Sequence, residues 1–157
     1  LDNPLESAKI LQDHVDKGIQ IAKKNRLPNP IVNFIPEHQG TLKMGYFLSK
    51  AKEKDKNISE KNFKYKGPIP QSKETAILML ADGCEAALRA MDINASDKEA
   101  LKIISKIINF RIEDGQLLDI NFSRGEIYLI KISFLNVWKR VRHRRIQYPS
   151  AKNKSCS

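Results

Sequence analysis

His14, His38 and Asp82 are the residues of this chain whose types can be combined into a metal site. Imidazole nitrogen and carboxylate oxygen suit iron, manganese or zinc, and the sequence offers no thiolate set in their place. A divalent metal with such ligands lowers the pKa of a bound water and holds a phosphate oxygen, which is what phosphodiester hydrolysis needs. The spacing of 24 and then 44 residues is not diagnostic by itself.

Asp82 is the unusual member of the three, because it follows the apolar run 76–81 without a break. Burying an ionised carboxylate there without compensation would be costly. We therefore expect Asp82 to have a metal, a strong donor, or a guanidinium such as that of Arg89 or Arg111. An internal salt bridge and a metal ligand are both open at this point.

Each histidine also has a structural explanation. His14 is expected at the edge of the apolar stripe of the first helix, where a hydrogen-bonded boundary residue is common. His38 is expected at a junction between helices, within the sequence 36–41. His143 lies in a basic run, and we expect it to be solvated.

Helical signals dominate the chain, and strand signals are nearly absent. Ser96 with Glu99, and Ser123 with Glu126, have the spacing of capping boxes, which mark the starts of helices. Apolar residues recur at helical spacing over about 4–25, 41–52, 76–90, 97–113 and 124–145, with a short apolar turn or helix at 31–35. The sequence therefore predicts an all-α domain of five or six helices.

Two segments fall outside the predicted helices. Residues 53–70 are predicted to form one long polar loop, because they are rich in lysine and end in a Gly-Pro-Ile-Pro sequence. Residues 150–157 are predicted to be a disordered tail. Cys84 is expected to be buried, whereas Cys156 falls in the tail, so the chain has no disulfide framework and suits a reducing compartment.

The net charge of +10 is concentrated at the end of the chain. Residues 139–157 contain seven Lys and Arg and no acidic residue, which leaves 21 basic against 18 acidic side chains in the first 138 residues. A basic end can attract phosphate-bearing partners or an anionic membrane surface, or can simply be a solvated helix end. No apolar run approaches the roughly 20 residues that span a bilayer, so the segment as given is predicted to be soluble.

Several motifs follow one another along the chain: His14-Val15-x-x-Gly18, Phe34 to Thr41, Tyr46-Phe47, Tyr65-x-Gly67-Pro68-Ile69-Pro70-Gln71-Ser72-Lys73-Glu74, Leu80 to Ala87, and Arg145-Ile146-x-Tyr148-Pro149. In this order they resemble the HD domain of the seven-transmembrane HD family. The resemblance extends from residue 1 to about 149 and looks most like cyanobacterial or plastid-type members.

The resemblance implies a helical HD-type bundle and a phosphohydrolase activity. Family members are membrane-anchored phosphodiesterases that hydrolyse cyclic di-AMP with two divalent metal ions, of which iron and manganese are the first candidates. It places His14, His38 and Asp82 on metal-ligand positions. It further implies that the domain lies on the cytoplasmic side of a membrane, with the rest of the HD domain and a membrane-anchored region preceding this segment.

The chain departs from the family pattern in two ways. Gln39 stands where many members have a second histidine, which would weaken or remove one metal site. The His-Asp pair that gives the family its name is absent and should precede Leu1, so the bundle is expected to be incomplete at its N-terminus. The segment alone is therefore predicted to bind metal weakly and to hydrolyse little or nothing.

Four residues are candidates for substrate contacts in the intact domain. Lys73 and Arg145 could bind phosphate, and Tyr46 or Tyr65 could stack on adenine, although such residues are often ordinary surface residues. Two alternatives remain open. One is a degenerate HD domain that senses a nucleotide or docks a partner without catalysis. The other is a basic helical module for nucleic acid, against which the near-neutral body counts.

Overall fold

The computed structural model describes residues 3–92 and 94–146, without the side chains of 143–146. These residues form seven α-helices, one 3₁₀ turn and an isolated antiparallel bridge between Lys43 and Lys64, and they contain no strand. The helices are α1 (Pro4–Lys24), α2 (Asn29–Val32), α3 (Phe34–Glu37), α4 (Gly45–Lys54), α5 (Lys73–Arg89), α6 (Asp97–Glu113) and α7 (Arg124–Ile146), and the 3₁₀ turn is Glu60–Phe63. The all-α prediction is confirmed. The predicted number of helices was too low, because α2 and α3 are separate single turns.

The predicted helix starts are where the capping residues placed them. Ser96 accepts a hydrogen bond from the backbone N–H of Glu99, and the Glu99 carboxylate accepts one from the N–H of Ser96 in return. Ser123 and Glu126 make the same reciprocal pair at the start of α7. These bonds satisfy N–H groups that have no partner within the helix, so the local sequence is sufficient to set these two boundaries.

The buried apolar side chains form two clusters, one from residues 8–63 and one from residues 76–130. The first lies between α1, α4 and the 3₁₀ turn, and contains Ala8, Met44, Leu48, Ala51 and Phe63. The second lies between α5, α6 and α7, and contains Ala76, Leu80, Cys84, Leu88, Ala100, Ile104, Ile108, Leu117 and Ile130. Cys84 is buried as predicted. The short helix α3 contacts both α1 and α5 and so joins the two clusters.

The segment 53–70 is more ordered than the sequence predicts. Helix α4 continues to Lys54, and the 3₁₀ turn ends at Phe63, which is fully buried. On either side of Phe63 the backbone is paired: the N–H of Met44 donates to the carbonyl of Phe63, and the N–H of Tyr65 donates to the carbonyl of Leu42. Apart from this 3₁₀ turn, the connection between α4 and α5 has no helix, and a single large apolar residue, Phe63, anchors a stretch that is otherwise rich in lysine.

Some predictions fall outside the described part of the chain. The predicted tail 150–157 with Cys156, and the side chains of His143 and Arg145, belong to this group. Among the described helices, none is long and apolar enough to cross a bilayer.

Candidate metal centre

His14 and His38 lie next to each other, although they come from different elements. His14 is in the middle of α1 on its exposed side, and His38 is the C-cap of α3. Their ring centroids are 6.1 Å apart in an edge-to-face arrangement. This separation is short enough for the two rings to serve one ion, or two neighbouring ions about 3.5–4 Å apart.

The backbone fixes which nitrogen of each ring carries a proton. Nδ1 of His14 lies 2.5 Å from the carbonyl oxygen of Leu11, and Nδ1 of His38 lies 2.7 Å from that of Ile35. A carbonyl oxygen can only accept a hydrogen bond, so Nδ1 is the donor in both rings. In the neutral imidazole Nε2 then keeps its lone pair, which is the form in which histidine binds a metal.

The side-chain amide of Gln39 is hydrogen-bonded to the free ring nitrogen of His38. Its Nε2 lies 2.9 Å from Nε2 of His38, at the distance of a hydrogen bond. Because Nδ1 of His38 already carries the proton, the Gln39 amide is the donor and the imidazole nitrogen accepts. A metal on His38 would have to displace this amide. The residue that departs from the family pattern therefore competes directly for a predicted ligand atom.

Tyr65 contacts His14 and lies within electrostatic range of Asp82. Its ring is 6.1 Å from that of His14, again edge to face. Burial raises the pKa of the Tyr65 hydroxyl, and the negative charge of Asp82 raises it further. The structure thus brings His14, His38 and Tyr65 together and puts Asp82 within electrostatic range of the tyrosine.

Asp82 is exposed, so the expectation that it is buried in the apolar helix was wrong. Helix α5 buries every fourth residue against α6 and α7, including Leu80 and Cys84. Asp82 lies midway between these two in sequence, about 200° around the helix from each, given 3.6 residues per turn. The run 76–81 is apolar on both faces, and for that reason its composition did not reveal which face is buried.

The salt-bridge explanation of Asp82 does not match the structure. Arg89 pairs with Glu85, with 3.7 Å between nitrogen and oxygen. Arg111 forms no ion pair with Asp82; burial lowers the pKa of Arg111, and the charge of Asp82 is only one of several that partly offset this effect. Among the described residues, no three His, Cys, Asp or Glu side chains lie close enough together to hold an ion. The described residues therefore provide a pair of histidines and an unpaired carboxylate within electrostatic range of Tyr65, without a closed ligand set.

The buried carboxylate of the region is Glu37, the residue before His38. It is only 3% exposed. Its Oε2 accepts hydrogen bonds from the Thr75 hydroxyl at 2.6 Å and from the backbone N–H of Gln71 at 2.9 Å. Thr75 is in the first turn of α5, where a helix attracts negative charge. Glu37 therefore ties the His38 segment to the helix that carries Asp82.

A second buried polar residue holds the other side of the same segment. Gln116 is 1% exposed, and its Oε1 accepts from the backbone N–H of Thr41 at 3.0 Å. Gly40 has φ +54, and a Cβ there would lie 2.4 Å from Gln116 Oε1. A side chain at position 40 would therefore clash with Gln116 as well as strain the backbone. Glu37 and Gln116 together fix the position of His38.

The sequence did not single out these two residues as part of the site. Glu37 was visible only as one letter of the motif 36–41, and Gln116 stands in an ordinary polar turn. The glycine at position 40 was the one available signal of a close backbone approach. Nothing in the chain indicated that Gln116, far away in sequence, would fill the space beside it.

The predicted substrate residues are not gathered at one place. Lys73 forms an ion pair with Glu126 at 2.5 Å and lies over the ring of Phe122. Tyr46 is exposed on α4 and packs against Phe47. The structure records no contact of either residue with the histidine pair, whereas Tyr65 touches His14. The side chain of Arg145 lies outside the described part.

Comparison with known proteins gives a consistent result. No family model matches the chain. The chain is 40% identical over 156 residues to the uncharacterised protein slr0104 of Synechocystis, covering 96% of this chain and 19% of that protein. It is 35% identical over 150 residues to the cyclic-di-AMP phosphodiesterase PgpH of Listeria monocytogenes, covering 96% of this chain and 21% of the relative. The chain thus spans about a fifth of the length of these curated relatives.

Solved structures agree with the sequence comparison. The HD domain of Listeria monocytogenes PgpH in complex with cyclic-di-AMP superimposes with a TM-score of 0.84 at 35% identity, covering 93% of this chain and 68% of that one. The HD domain described without the nucleotide gives a TM-score of 0.81 at 33% identity, covering 90% and 65%. The helical arrangement and the order of the motifs are therefore shared over nearly all of this chain.

Proposed function

The chain belongs to the family of PgpH HD domains, and on that basis we propose that it forms part of a metal-dependent centre that hydrolyses cyclic di-AMP to the linear dinucleotide. HD-domain phosphodiesterases depend on metal. The metal and the number of ions are part of the proposal: two divalent ions, with iron or manganese as the first candidates. Such ions would neutralise charge on the phosphate and activate water.

The histidine pair is the observation that supports this function. Two imidazoles from α1 and from the end of α3 meet at 6.1 Å, and each donates its Nδ1 proton to a backbone carbonyl. This arrangement orients the rings and leaves Nε2 as the ligand atom.

Each residue has a defined task in this proposal. Nε2 of His14 and of His38 would hold metal, and Asp82 would add the negative charge that balances a dication. Tyr65 lies against His14 and is placed to stack on an adenine or to shield the centre from water. Lys73, Tyr46 and Arg145 remain candidates for substrate contacts. For Lys73 this requires that phosphate displace Glu126 from its ammonium group.

The surroundings of the domain are also proposed from the relatives. The remainder of the HD domain and a membrane-anchored region would precede these residues, with the domain on the cytoplasmic side. The basic residues 139–157 would then be near the anionic surface of the membrane. Specific binding of nucleic acid is not expected, since the first 138 residues are nearly neutral.

Substitution of the proposed ligands tests this function. In the 157 residues joined to the rest of the HD domain, His14→Gln, His38→Gln and Asp82→Ala should each lower the bound metal and reduce hydrolysis of cyclic di-AMP by more than about a hundredfold, beyond the 10–100-fold effect of outer residues. His143→Gln removes the third histidine and serves as the control. Metal analysis and separation of the linear product by chromatography are the measurements. Full activity in the Asp82→Ala protein would remove that residue from the site.

A non-catalytic HD domain that binds the nucleotide is the second candidate. It is favoured by one observation, the hydrogen bond from Gln39 to the metal-binding nitrogen of His38. The same experiment separates the two: binding of cyclic di-AMP without formation of linear product, in protein loaded with iron or manganese, would establish the second candidate.

A further inference from the structure

Arg111 in α6 is a half-buried cation without a hydrogen-bond partner among the described residues. Its Nε is fully buried and makes no hydrogen bond. No ion pair to the guanidinium lies within 4.0 Å. Buried polar groups in folded proteins nearly always have partners, so an unpartnered guanidinium needs an explanation.

The charges near Arg111 do not provide that explanation. Burial lowers the pKa of Arg111, and the carboxylates of Asp114 and Asp82 only partly offset the effect from a distance. Asp114 accepts a hydrogen bond from Gln116 instead. Burial also raises the pKa of the Cys84 thiol to about 11, so that thiol is neutral at pH 7 and offers no counter-charge. The ring of Phe110, 5.6 Å from the guanidinium carbon, gives a weak cation–π contact only.

The guanidinium lies directly beside the helix turn that carries Asp82. A Cβ built on Gly83 would be 3.1 Å from Nη2 of Arg111 and 3.2 Å from Ile107 Cγ2. Glycine at this position thus leaves room for the guanidinium against the backbone of α5. Arg111 is held there by packing, since no polar contact holds it.

We propose that Arg111 binds a phosphate group of the cyclic dinucleotide, next to the metal centre. The planar guanidinium presents several N–H donors, and phosphate accepts them in pairs. The bound phosphate would accept hydrogen bonds from the terminal Nη groups, which have no partner among the described residues and, unlike Nε, are not fully buried. This proposal rests on the function proposed above and adds a specific substrate contact to it.

A structural role for Arg111 predicts a different outcome from a phosphate contact. Removing a buried cation with no partner leaves no other charge unpaired, and an apolar residue of similar shape is often tolerated or stabilising at such a place. Arg111→Met should therefore keep or raise the thermal unfolding midpoint. If the side chain served to stabilise the fold, the same substitution would lower that midpoint.

Binding of cyclic di-AMP is the first test. It uses the 157 residues joined to the rest of the HD domain, because the HD domain of the PgpH relative crystallises by itself. Calorimetry on metal-free protein should show a dissociation constant raised about tenfold to a hundredfold in Arg111→Met, as expected for a lost hydrogen bond to a charged group. Arg111→Lys should recover part of the affinity, because lysine keeps the positive charge but lacks the planar, paired N–H donors of a guanidinium. Arg89→Gln, which removes an exposed cation two turns from Asp82 on α5, should bind within twofold of the unchanged protein.

Titration with inorganic phosphate tests whether Arg111 binds phosphate even if the domain does not bind cyclic di-AMP. The buried Arg111 Nε–H should give a slowly exchanging NMR signal that shifts as inorganic phosphate is added. The Arg111 proposal would be overturned if the signal did not shift with phosphate, or if Arg111→Met bound cyclic di-AMP with unchanged affinity. It would also be overturned if Arg111→Met had a lowered unfolding midpoint and Arg89→Gln lost as much affinity as Arg111→Met. Failure of the unchanged protein to bind or hydrolyse cyclic di-AMP would instead overturn the proposed function.

Discussion

At the scale of single residues, the proton on each imidazole decides whether the histidine pair can act as ligands. In both rings Nδ1 donates to a backbone carbonyl within the same helical turn. The two ligand atoms are nevertheless not equivalent, because only His38 has its Nε2 hydrogen-bonded by Gln39. His14 should therefore take up a metal more readily than His38.

Gln39 is accordingly expected to limit the metal affinity of the domain. Gln39→His replaces a competing amide with a further ligand, so the affinity for manganese or iron should rise by about tenfold or more. Gln20→His adds a histidine on the exposed part of α1 and controls for the extra imidazole. Competition with a coloured chelator measures both affinities. Equal affinities of the Gln39→His and unchanged proteins would show that position 39 is not part of the centre.

The sequence identified the ligand candidates but not their environment. Recognition of the family motifs pointed to His14, His38 and Asp82, and the structure places the two histidines together. The burial of Asp82 was predicted incorrectly, because the composition of a helix segment does not determine which face meets the core. Glu37, the carboxylate that is buried, could not be found from its neighbours, since its partners at positions 71 and 75 lie more than thirty residues away.

At the scale of elements, local and long-range signals differ in how well they can be predicted. Capping boxes involve residues three apart, so the starts of α6 and α7 follow from the sequence alone. The 3₁₀ turn ending at Phe63 is paired with the backbone of residues 42–44, and no local sequence pattern predicts this pairing. The packing of α3 between α1 and α5 belongs to the same long-range class.

The contact from Glu37 to α5 should stabilise both the fold and the metal site. Glu37→Ala leaves the N–H of Gln71 and the hydroxyl of Thr75 without their acceptor, and should cost about 3 kcal/mol of unfolding free energy, from about 1.5 for each of two hydrogen bonds to a charge. Metal affinity should fall by about 10–100-fold although no ligand is removed. Urea unfolding and chelator competition measure the two effects.

The control for this prediction is Glu113→Ala, at the exposed end of α6. Loss of stability with unchanged metal affinity in Glu37→Ala would show that Glu37 supports the fold without positioning His38. Glu37→Gln keeps one side-chain acceptor and should recover part of both quantities.

The ion pair between α5 and α7 predicts a dependence of stability on pH. Contact with Lys73, and hydrogen bonds from Ser123, lower the pKa of Glu126 from 4.5 to about 2. A carboxylate whose pKa is lowered in the folded state stabilises the protein above its ordinary pKa, and this contribution disappears as the pH falls towards the folded value. The contribution of Glu126 is therefore complete above about pH 5 and is lost between pH 4.5 and about 2.

Glu126→Gln tests this directly in urea unfolding of the 157-residue chain. The variant should be less stable than the unchanged protein at pH 7, and the difference should disappear as the pH falls below about 2. Glu74→Gln, an exposed acid in the first turn of α5, controls for the loss of one negative charge. A difference that stays constant from pH 7 to pH 2 would contradict the assigned ion pair.

At the scale of the whole molecule, the candidate ligands lie on surfaces that meet water. His14 and Asp82 are both exposed. Beside them lie apolar side chains that are also exposed: Ile10 at 61%, Ile21 at 63% and Leu78 at 40%. Water and salt screen the attraction between an ion and ligands in such a position. The chain covers 68% of the solved PgpH HD chain, so that relative has further residues with which to complete a centre.

The 157 residues alone are therefore expected to bind metal weakly and to hydrolyse cyclic di-AMP little or not at all. No three potential ligands of the described residues converge, and two imidazoles with one carboxylate that does not converge on them cannot hold two ions. The same residues joined to the rest of the HD domain should retain metal through dialysis and form the linear product. Metal content after dialysis and product formation over time, measured side by side at equal folded concentration, test the expectation. Turnover by the shorter chain at the rate of the longer one would show that His14, His38 and Asp82 suffice, and would contradict the need for additional ligands.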